Sequence, residues 1–501
     1  MMSLLELPPE AEWWTFGFIL AGITLFLGLG EAVRKQRGWS PEFSRKFVHI
    51  SVGILAAFTP VLFTVPLLPI LLAMLFIGVN SIALKMGLLP GIHSVGRPSY
   101  GTVYFPIAFL LLLVFFWYRE PMIISLSMLV LALADSGAAI VGESVKNSTQ
   151  YRLTSDRKSI EGSIAMALVS FAVLLIGLTF STDMELIPME YVIACAGVGS
   201  VVATACEAIS SRGLDNLSIP LSTAFVLSFF LVPQSGADVF QLTMAVSFGI
   251  FIAVASFKSG LLTASGAVAT FLLAVVVFGI GGWQWTIPLV IFFLLSSLFS
   301  RVGATRKAAL RIAGDKAGGR DHAQVFANGG IGGILALLAY WYPEVNVYPV
   351  FVGSIAAVTA DTWGTELGLL ARGRTVRFPD FTSVSPGTNG GITLVGSMAG
   401  MGGSLVIAAS SSAWLDAGLL AWVLVAGLAG SAVDSILGGI LQARFRCPVC
   451  GTITDERVHC NNQPTALVSG LAWLNNDGVN WVCAAIGAAL MLGVLLLGDV
   501  R

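Results

Sequence analysis

Acidic side chains within apolar stretches are the first residues of this sequence that could do chemistry. Charged groups inside a membrane-spanning segment are costly, so they mark functional sites by default. Clustered carboxylates at a water interface suit Mg²⁺, which keeps several waters and bridges to substrate phosphates. Hydrogen bonding between helices is the structural alternative for any single acid. Six acids fall near the ends of apolar segments: Asp135, Glu143, Glu207, Asp361, Glu366 and Asp434.

Cationic and imidazole side chains accompany the first of these acids. The segment RKFVHIS places Arg45, Lys46 and His49 at the start of an apolar segment. His49 follows Lys46 by three residues and so lies on nearly the same helix face. These side chains could bind phosphate or move a proton, and a helix-end anchor is the alternative.

A second basic motif, DRKSIEG, follows Asp135. Lys158 would act as a cationic phosphate clamp, Glu161 as an acid that binds metal, and Ser159 and Gly162 as parts of a flexible turn that binds substrate or nucleotide. The alternative is a loop that is basic only because it is cytoplasmic.

The corresponding loop of the second half is rich in glycine. It reads SPGTNGGI and comes just before an apolar segment. Backbone amides freed by glycine at a helix N-terminus form an anion site, so we expect a phosphate loop here. A glycine-rich membrane turn is the alternative. The residues concerned are Gly387, Thr388, Asn389, Gly390 and Gly391.

Side-chain amides enter two further apolar segments. GRDHAQVFANGG supplies Gln324 and Asn328, and WLNNDGVN supplies Asn476, Asp477 and Asn480. Each such group must find a polar partner away from water. We therefore expect the four amides to bind the substrate or the nucleotide.

A metal-ligand pattern lies near the end of the chain. CPVCG is followed by a His-Cys pair, so four potential ligands fall within fourteen residues: Cys447, Cys450, His459 and Cys460. The topology predicts a cytoplasmic loop, where thiols stay reduced, so structural Zn²⁺ is favoured over a disulfide. The second Cys-x-x-Cys of many zinc sites is missing.

The composition places these residues in a membrane protein. Of 501 residues, 56% are apolar and 11% are charged, which excludes a water-soluble globule. The net charge of −1 offers no basic surface for nucleic acid. About sixteen apolar stretches are long enough to cross a bilayer. We therefore predict an all-α polytopic transmembrane protein with about sixteen spanning helices.

The distribution of Lys and Arg predicts the topology. Every second loop is basic, and these loops hold 25 of the 27 Lys and Arg residues, all except Arg119 and Arg501. Basic loops stay in the cytoplasm. We expect an integral protein of a bacterial plasma membrane, with both termini outside and the candidate sites at the cytoplasmic face.

An internal repeat relates the two halves. LALADSGAAIVGESV and AAVTADTWGTELGLL align Asp135 with Asp361, and later segments align Glu207 with Asp434. Glu161 and Gly387 each lie 26 residues after the first acid of their half. An even number of helices per half predicts two parallel repeats of about eight helices.

These motifs resemble those of known membrane kinases. RKFVH, ADSGAAIVG and KSIEGS resemble phytol kinase and dolichol kinase, which implies a prenyl-alcohol kinase domain over residues 1–235. QVFANGG, ADTWGTELG, SPGTNGG and NNDGVN resemble the phytyl-phosphate kinase family, which implies a second kinase domain over 236–501. The resemblance implies transfer of phosphate from CTP to a phytol-type or geranylgeraniol-type alcohol and then to its monophosphate.

Phosphoryl transfer needs positioning and charge neutralisation more than covalent chemistry. In the first site we expect Lys158, Arg45 and Lys46 to hold phosphates and His49 to assist proton removal. The expected Mg²⁺ ligands there are Asp135, Glu161, Glu207 and Asp215. In the second site they are Asp361, Glu366, Asp434 and Asp477. The expected phosphate-binding residues there are Gln324, Asn328, Thr388 and Asn389.

Two other functions stay open. SPGTNGG is similar to the PGHGG loop of phosphatidate cytidylyltransferase, which would make the chain a CDP-lipid synthase, but no Asp-Arg-x-Asp follows Gly391. A secondary transporter also combines parallel repeats with intramembrane acids. Its polar residues should lie near the membrane centre rather than at the cytoplasmic helix ends.

Overall fold

Long apolar stretches fold as helices throughout the part of the chain that the structure describes. A computed structural model describes residues 4–37, 41–86, 99–180, 188–232, 238–310, 319–378 and 380–498. The chain folds as two compact units, Met1–Val239 and Phe240–Arg501. The predicted domain boundary at 235/236 lies outside the described residues, and the assignment of one kinase domain to each half stays a prediction.

Helices dominate the first unit. Its described helices are α1 (Glu10–Arg37), α2 (Pro41–Ala57), α3 (Thr59–Leu62), α4 (Leu67–Met86), α5 (Gly101–Phe116), α6 (Pro121–Leu129), a π-helix (Val130–Asp135), α7 (Ser136–Ser144), α8 (Ile160–Thr179), α9 (Met189–Ile209) and α10 (Asp215–Leu231). Between α7 and α8 the chain forms an antiparallel hairpin of β1 (Gln150–Tyr151) and β2 (Lys158–Ser159).

The second unit is also helical, with small sheets in its connections. Its described helices are α11 (Val239–Lys258, which begins at the unit boundary), α12 (Ala264–Arg301), α13 (Ala304–Leu310), α14 (His322–Trp341), α15 (Tyr348–Gly368), α16 (Leu394–Ser410), α17 (Ala417–Ile440) and α18 (Asn476–Gly498). The strands are β3 (Val376–Arg377), β4 (Thr382–Ser383), β5 (Gly391–Ile392), β6 (Arg444–Arg446), β7 (Ile453–Thr454), β8 (Val458–His459), β9 (Gln463–Pro464) and β10 (Ala466–Ser469). They pair as β4-β3-β5, β10-β6-β7 and β8-β9.

The predicted all-α polytopic fold is confirmed, but the count of sixteen spanning helices is not. The centres of the sixteen predicted apolar stretches, from Ile19 to Leu490, all fall within helices. Ten helices of the described residues are long and apolar enough to cross a membrane, and several others are shorter. Helix α12 contains two of the predicted segments, separated by Gly282 at φ +55 and ψ −151. Such a backbone conformation breaks a helix and is accessible to glycine.

Helix α15 forms the centre of the second unit. Its residues from Tyr348 to Ala360 are buried and pack against α16, α17 and α18. A Cβ on Gly430 of α17 would lie 2.5 Å from the Cβ of Ala357, so glycine is needed for this close approach. Asp434 and Asp361 follow these two residues by one helical turn each. The same close packing therefore brings the two acids together.

In both units, a small antiparallel sheet connects the helix region that carries the first acid to the next long helix. After Asp135, the β1–β2 hairpin leads into α8, whose first turn is capped by Ser159. After Asp361, the β4-β3-β5 sheet leads into α16, which is capped by Thr393. The cap follows the acid by 24 residues in one unit and by 32 in the other, so the equal spacing of Glu161 and Gly387 does not mark equivalent positions.

Candidate functional site

An ionic cluster in the first unit forms around Asp135, which ends the π-helix. The wider turn of a π-helix is often found at functional sites. Lys46 Nζ lies 2.7 Å from Asp135 Oδ2, and His49 Nε2 lies 3.9 Å from the same oxygen. His49 Nε2 is also 3.4 Å from the carbonyl oxygen of Leu131. The predicted group of Lys46, His49 and Asp135 therefore comes together.

Lys158 joins two further acids to this cluster. Its Nζ lies 2.5 Å from Glu207 Oε1 and 3.7 Å from Asp215 Oδ2. Burial alone would lower the pKa of Lys158, but the charges of Asp215, Glu207 and Asp135 outweigh burial and raise it. The sequence thus predicted a real convergence of side chains from the hairpin, α9 and α10. Glu207 Oε2 is buried and has no hydrogen-bond partner among the described residues, so it could bind a cation.

An apolar cavity of about 210 Å³ adjoins the cluster. Arg45 and His49 line it together with aliphatic and aromatic side chains such as Phe105 and Phe109. One polar end next to apolar walls is suited to a molecule with a polar head and a hydrocarbon chain.

Three predicted residues of the first site have structural contacts instead. Both carboxylate oxygens of Glu161 accept from the Thr149 amide, at 3.0 and 2.9 Å, which fastens the hairpin. Ser159 caps α8 through the Gly162 amide. A Cβ on Gly162 would lie 2.9 Å from a carbonyl oxygen of α7, so this glycine permits close helix packing. The structure does not bring Glu161 to the ionic cluster, and Glu143 is exposed.

A polar cavity of about 400 Å³ forms the candidate site of the second unit. Almost all the residues predicted for this site line the cavity: Gln324, Asn328, Asp361, Glu366, Gly387, Thr388, Asn389, Gly390, Gly391, Asp434, Asn476 and Asn480. Asp477 is the exception. It follows Asn476 by about 100° around α18, whereas Asn476 and Asn480 share one face.

Two acids face each other in this cavity. The side chains of Asp361 and Asp434 are close neighbours in the cavity lining and interact electrostatically. Oδ2 of Asp434 is buried and has no hydrogen-bond partner in the described part of the chain. Two neighbouring buried carboxylates are stabilised by a cation or a shared proton. The pair therefore fits the predicted Mg²⁺ site.

Glu366 has a different environment. Its Oε2 lies 2.7 Å from Nζ of Lys307, and its Oε1 accepts from the Ser300 hydroxyl at 2.8 Å. The Lys307 side chain is only 1% exposed. Lys307 was not predicted as a site residue because it lies among the basic residues that indicate topology. Lys307 and Ser300 together occupy both carboxylate oxygens of Glu366, which argues for a positioning role rather than for metal binding.

Arg320 is a second cation of this site, from the same motif as Gln324 and Asn328, but it was not among the predicted site residues. It lines the cavity, and its guanidinium lies 5.7 Å from the centre of the Phe292 ring. Burial lowers its pKa, and the charge of Glu366 opposes this effect. Arg320, Gln324 and Asn328 also line a small apolar cleft of about 60 Å³. The polar cavity and the apolar cleft therefore meet at these three side chains.

The glycine-rich segment at residues 385–390, here called the glycine turn, does not lie at the start of a helix as expected. Residues 385–390 form a turn between β4 and β5, and α16 begins at Leu394. The amides of Thr388 and Gly391 donate within this turn, to Ser385 and Thr388. These two amides are therefore not available to an anion. The loop lines the cavity, but an anion site at a helix N-terminus is not what the structure shows.

Asp455 was also missed. It lies in the loop that carries Cys447, Cys450, His459 and Cys460, here called the cysteine-rich loop, and it lines the cavity. Its carboxylate accepts from Asn389 Nδ2 at 3.3 Å and from Gln442 Nε2 at 2.9 Å. Burial raises the pKa of Asp455, and the hydrogen bond from Asn389 opposes the shift. Its sequence neighbours TITDER carry no pattern that would have revealed the contact.

The four predicted zinc ligands do come together. The ligand atoms of Cys447, Cys450, His459 and Cys460 all lie within 4.8 Å of one another. Hydrogen bonding with Thr452 lowers the pKa of Cys450 to about 6. A lower pKa favours the thiolate, which is the form that binds metals.

Comparison with known proteins gives a consistent set of relatives. The model of the integral membrane protein DUF92 family matches residues 247–488. Protein PGR of Arabidopsis thaliana is 30% identical over 271 residues, 48% of this chain and 92% of that protein. A phytol kinase of Synechocystis sp. is 31% identical over 186 residues, 37% of this chain and 78% of the kinase. An uncharacterized membrane protein of Methanocaldococcus jannaschii is 31% identical over 205 residues, 40% of this chain and 81% of that protein. No solved structure matches the chain.

Proposed function

The chain belongs to the integral membrane protein DUF92 family and is a phytol-kinase-like membrane protein, and on that premise we propose that it phosphorylates a prenyl alcohol twice. The first unit would form the monophosphate and the second unit the diphosphate, with CTP as the donor. One observation carries this proposal. In each unit, buried acids and cations lie beside an apolar space that could hold a prenyl chain.

In the first unit, the alcohol would place its chain in the cavity behind His49 and its hydroxyl beside the ionic cluster. A carbonyl oxygen can only accept, so the contact of His49 Nε2 with Leu131 requires the proton on Nε2. Nδ1 is then the basic nitrogen that takes the hydroxyl proton. Lys46 and Lys158 would neutralise the phosphates of the nucleotide.

Mg²⁺ fits both acid sets. Asp135, Glu207 and Asp215 would hold it in the first unit, and Asp361 and Asp434 in the second. The ion would neutralise the phosphate charge that develops during transfer. The buried, unpartnered oxygens of Glu207 and Asp434 support this assignment.

In the second unit, the prenyl monophosphate would lie across the junction of the two spaces. Its chain would enter the apolar cleft, and its phosphate would contact Arg320, Gln324 and Asn328. Arg320 can bind two phosphate oxygens at once because its donors form a planar fork. The nucleotide would occupy the wider cavity near Asn389 and Asn476.

Two preparations of CTP, each labelled at a different phosphate, test this function directly. Purified protein in proteoliposomes is given Mg²⁺, phytol or geranylgeraniol, and CTP labelled at either the γ- or the α-phosphate. We expect the γ-label in the prenyl monophosphate and then the diphosphate, and no α-label in any lipid. Transfer of the α-label would instead identify a CDP-lipid synthase. Absence of both labels, with uptake of the alcohol or phosphate into vesicles, would identify a transporter, and either result would overturn the proposal.

A further inference from the structure

We propose that Cys447, Cys450, His459 and Cys460 bind one Zn²⁺, and that this metal holds Asp455 in place at the second cavity. A metal bound by three thiolates and one imidazole is a known structural zinc type. Tetrahedral bonds of about 2.3 Å place sulfur atoms roughly 3.8 Å apart. The four ligand atoms lie within 4.8 Å of one another, so small side-chain rotations would close the site.

The backbone already has the turns that such a site needs. Cys447 and Cys450 lie in a tight turn in which the Gly451 amide donates to the Cys447 carbonyl, with Gly451 at φ +73. His459 ends β8 and pairs with Gln463 of β9, so the β8–β9 hairpin presents His459 and Cys460 together. Two separate turns thus converge on one point. The β10-β6-β7 sheet joins the segments that flank the two turns, and Zn²⁺ would link the turns directly.

The proposed zinc site connects to the second cavity through Asp455. This residue lies between the two ligand pairs in sequence, and its carboxylate accepts from Asn389 of the glycine turn and from Gln442. Arg444, just after α17, donates to the carbonyl of Asn389 at 3.2 Å. The cysteine-rich loop therefore fixes the wall of the cavity from outside. Asp455 is a positioning residue, since it acts through Asn389.

Metal analysis tests the site without any enzyme assay. Full-length protein expressed with ample zinc should contain about one Zn²⁺ per chain if four ligands close a tetrahedral site. Replacing Zn²⁺ with Co²⁺ should give the visible bands of tetrahedral cobalt thiolate. Cys450→Ser and His459→Ala should lose the metal, whereas Cys195→Ala, which removes a buried cysteine of α9, should retain it. No bound metal, or a disulfide within the loop found by mass spectrometry, would overturn the proposal.

The link to the cavity rests on the proposed function and needs a second measurement. Asp455→Asn should retain the zinc but slow phosphorylation of prenyl monophosphate, by roughly 100-fold if Asn389 is misplaced. Phosphorylation of the alcohol should not change. Zinc present with an unaffected second reaction would refute the link alone. If no variant or parent protein phosphorylates a prenyl substrate, the proposed function fails while the zinc site stands on its metal content.

Discussion

At the scale of single residues, the two candidate sites balance their acids differently. In the first unit, Lys46 and Lys158 pair directly with Asp135 and Glu207. In the second, Asp361 and Asp434 are neighbours of like charge, and the cations among the described lining residues are Arg301 and Arg320. Buried like charges repel strongly without a counter-ion. In the proposed mechanism, the second site would therefore depend more heavily on a bound metal ion.

His49 gives the sharpest test at this scale. His49→Gln retains a polar side chain but removes the base that we assign to the alcohol hydroxyl. We expect the rate of the first reaction to fall roughly 100- to 10 000-fold, the usual contribution of a general base. Phosphorylation of supplied monophosphate should continue at the parental rate. Initial rates with saturating alcohol and, separately, with saturating monophosphate measure the two reactions. An unchanged first reaction would show that His49 only packs against the cavity.

The sequence indicated many site residues but not all of them. Asp135, Glu207 and Asp361 were recognisable because an acid in an apolar segment needs a special reason to be there. Lys307 and Asp455 lie in polar segments, where charge is ordinary. Their roles arise from partners far along the chain, 59 residues away for Glu366 and 66 for Asn389. Only tertiary packing reveals such contacts.

At the scale of elements, apolar runs predicted the helices well and the loops poorly. Helices α5, α10 and α16 are apolar but short, and Gly282 divides α12, so counting apolar runs did not count spans. The glycine turn was expected to cap a helix because glycine precedes an apolar run. Its actual place beside α17 follows from contacts that the sequence does not display.

Gly390 tests this revised role of the glycine turn. It has φ +75, and a Cβ there would lie 2.5 Å from both Gly439 Cα and the Ser435 carbonyl oxygen. Gly390→Ala should therefore lower the free energy of unfolding by roughly 1–3 kcal/mol, as overpacking does. Larger side chains such as valine would disrupt the packing further, so they cannot test phosphate binding separately.

Gly402 provides the matched control, since it lies in helix α16 with no atom within 4 Å of its would-be Cβ. Gly402→Ala should leave stability unchanged or raise it by about 0.4–1 kcal/mol. Thermal unfolding in detergent compares the two variants. Equal melting temperatures for Gly390→Ala and the parent would show that the turn moves freely away from α17.

At the scale of the whole molecule, the topology remains a prediction from charge. With 25 of 27 Lys and Arg residues in alternate loops, we expect both termini outside and both candidate sites at the cytoplasmic face. Reporter fusions to the two termini and to the Lys258 loop measure this in cells. A cytoplasmic terminus would contradict the orientation, and it would also expose the zinc loop to an oxidising compartment.

In the proposed function, the first unit phosphorylates the prenyl alcohol and the second unit phosphorylates the monophosphate, independently of each other. Asp135→Asn and Asp361→Asn each replace one acid by its neutral isostere, and Glu161→Gln and Asp380→Asn are matched controls, since those acids bind a hairpin amide and a surface arginine. The decisive measurement is the product analysis of all four purified variants with prenyl alcohol and, separately, with prenyl monophosphate. The expected result is that Asp135→Asn loses only the first phosphorylation, that Asp361→Asn loses only the second, and that both control variants retain both reactions. Loss of both reactions in either folded single-site variant would contradict it and show one shared site.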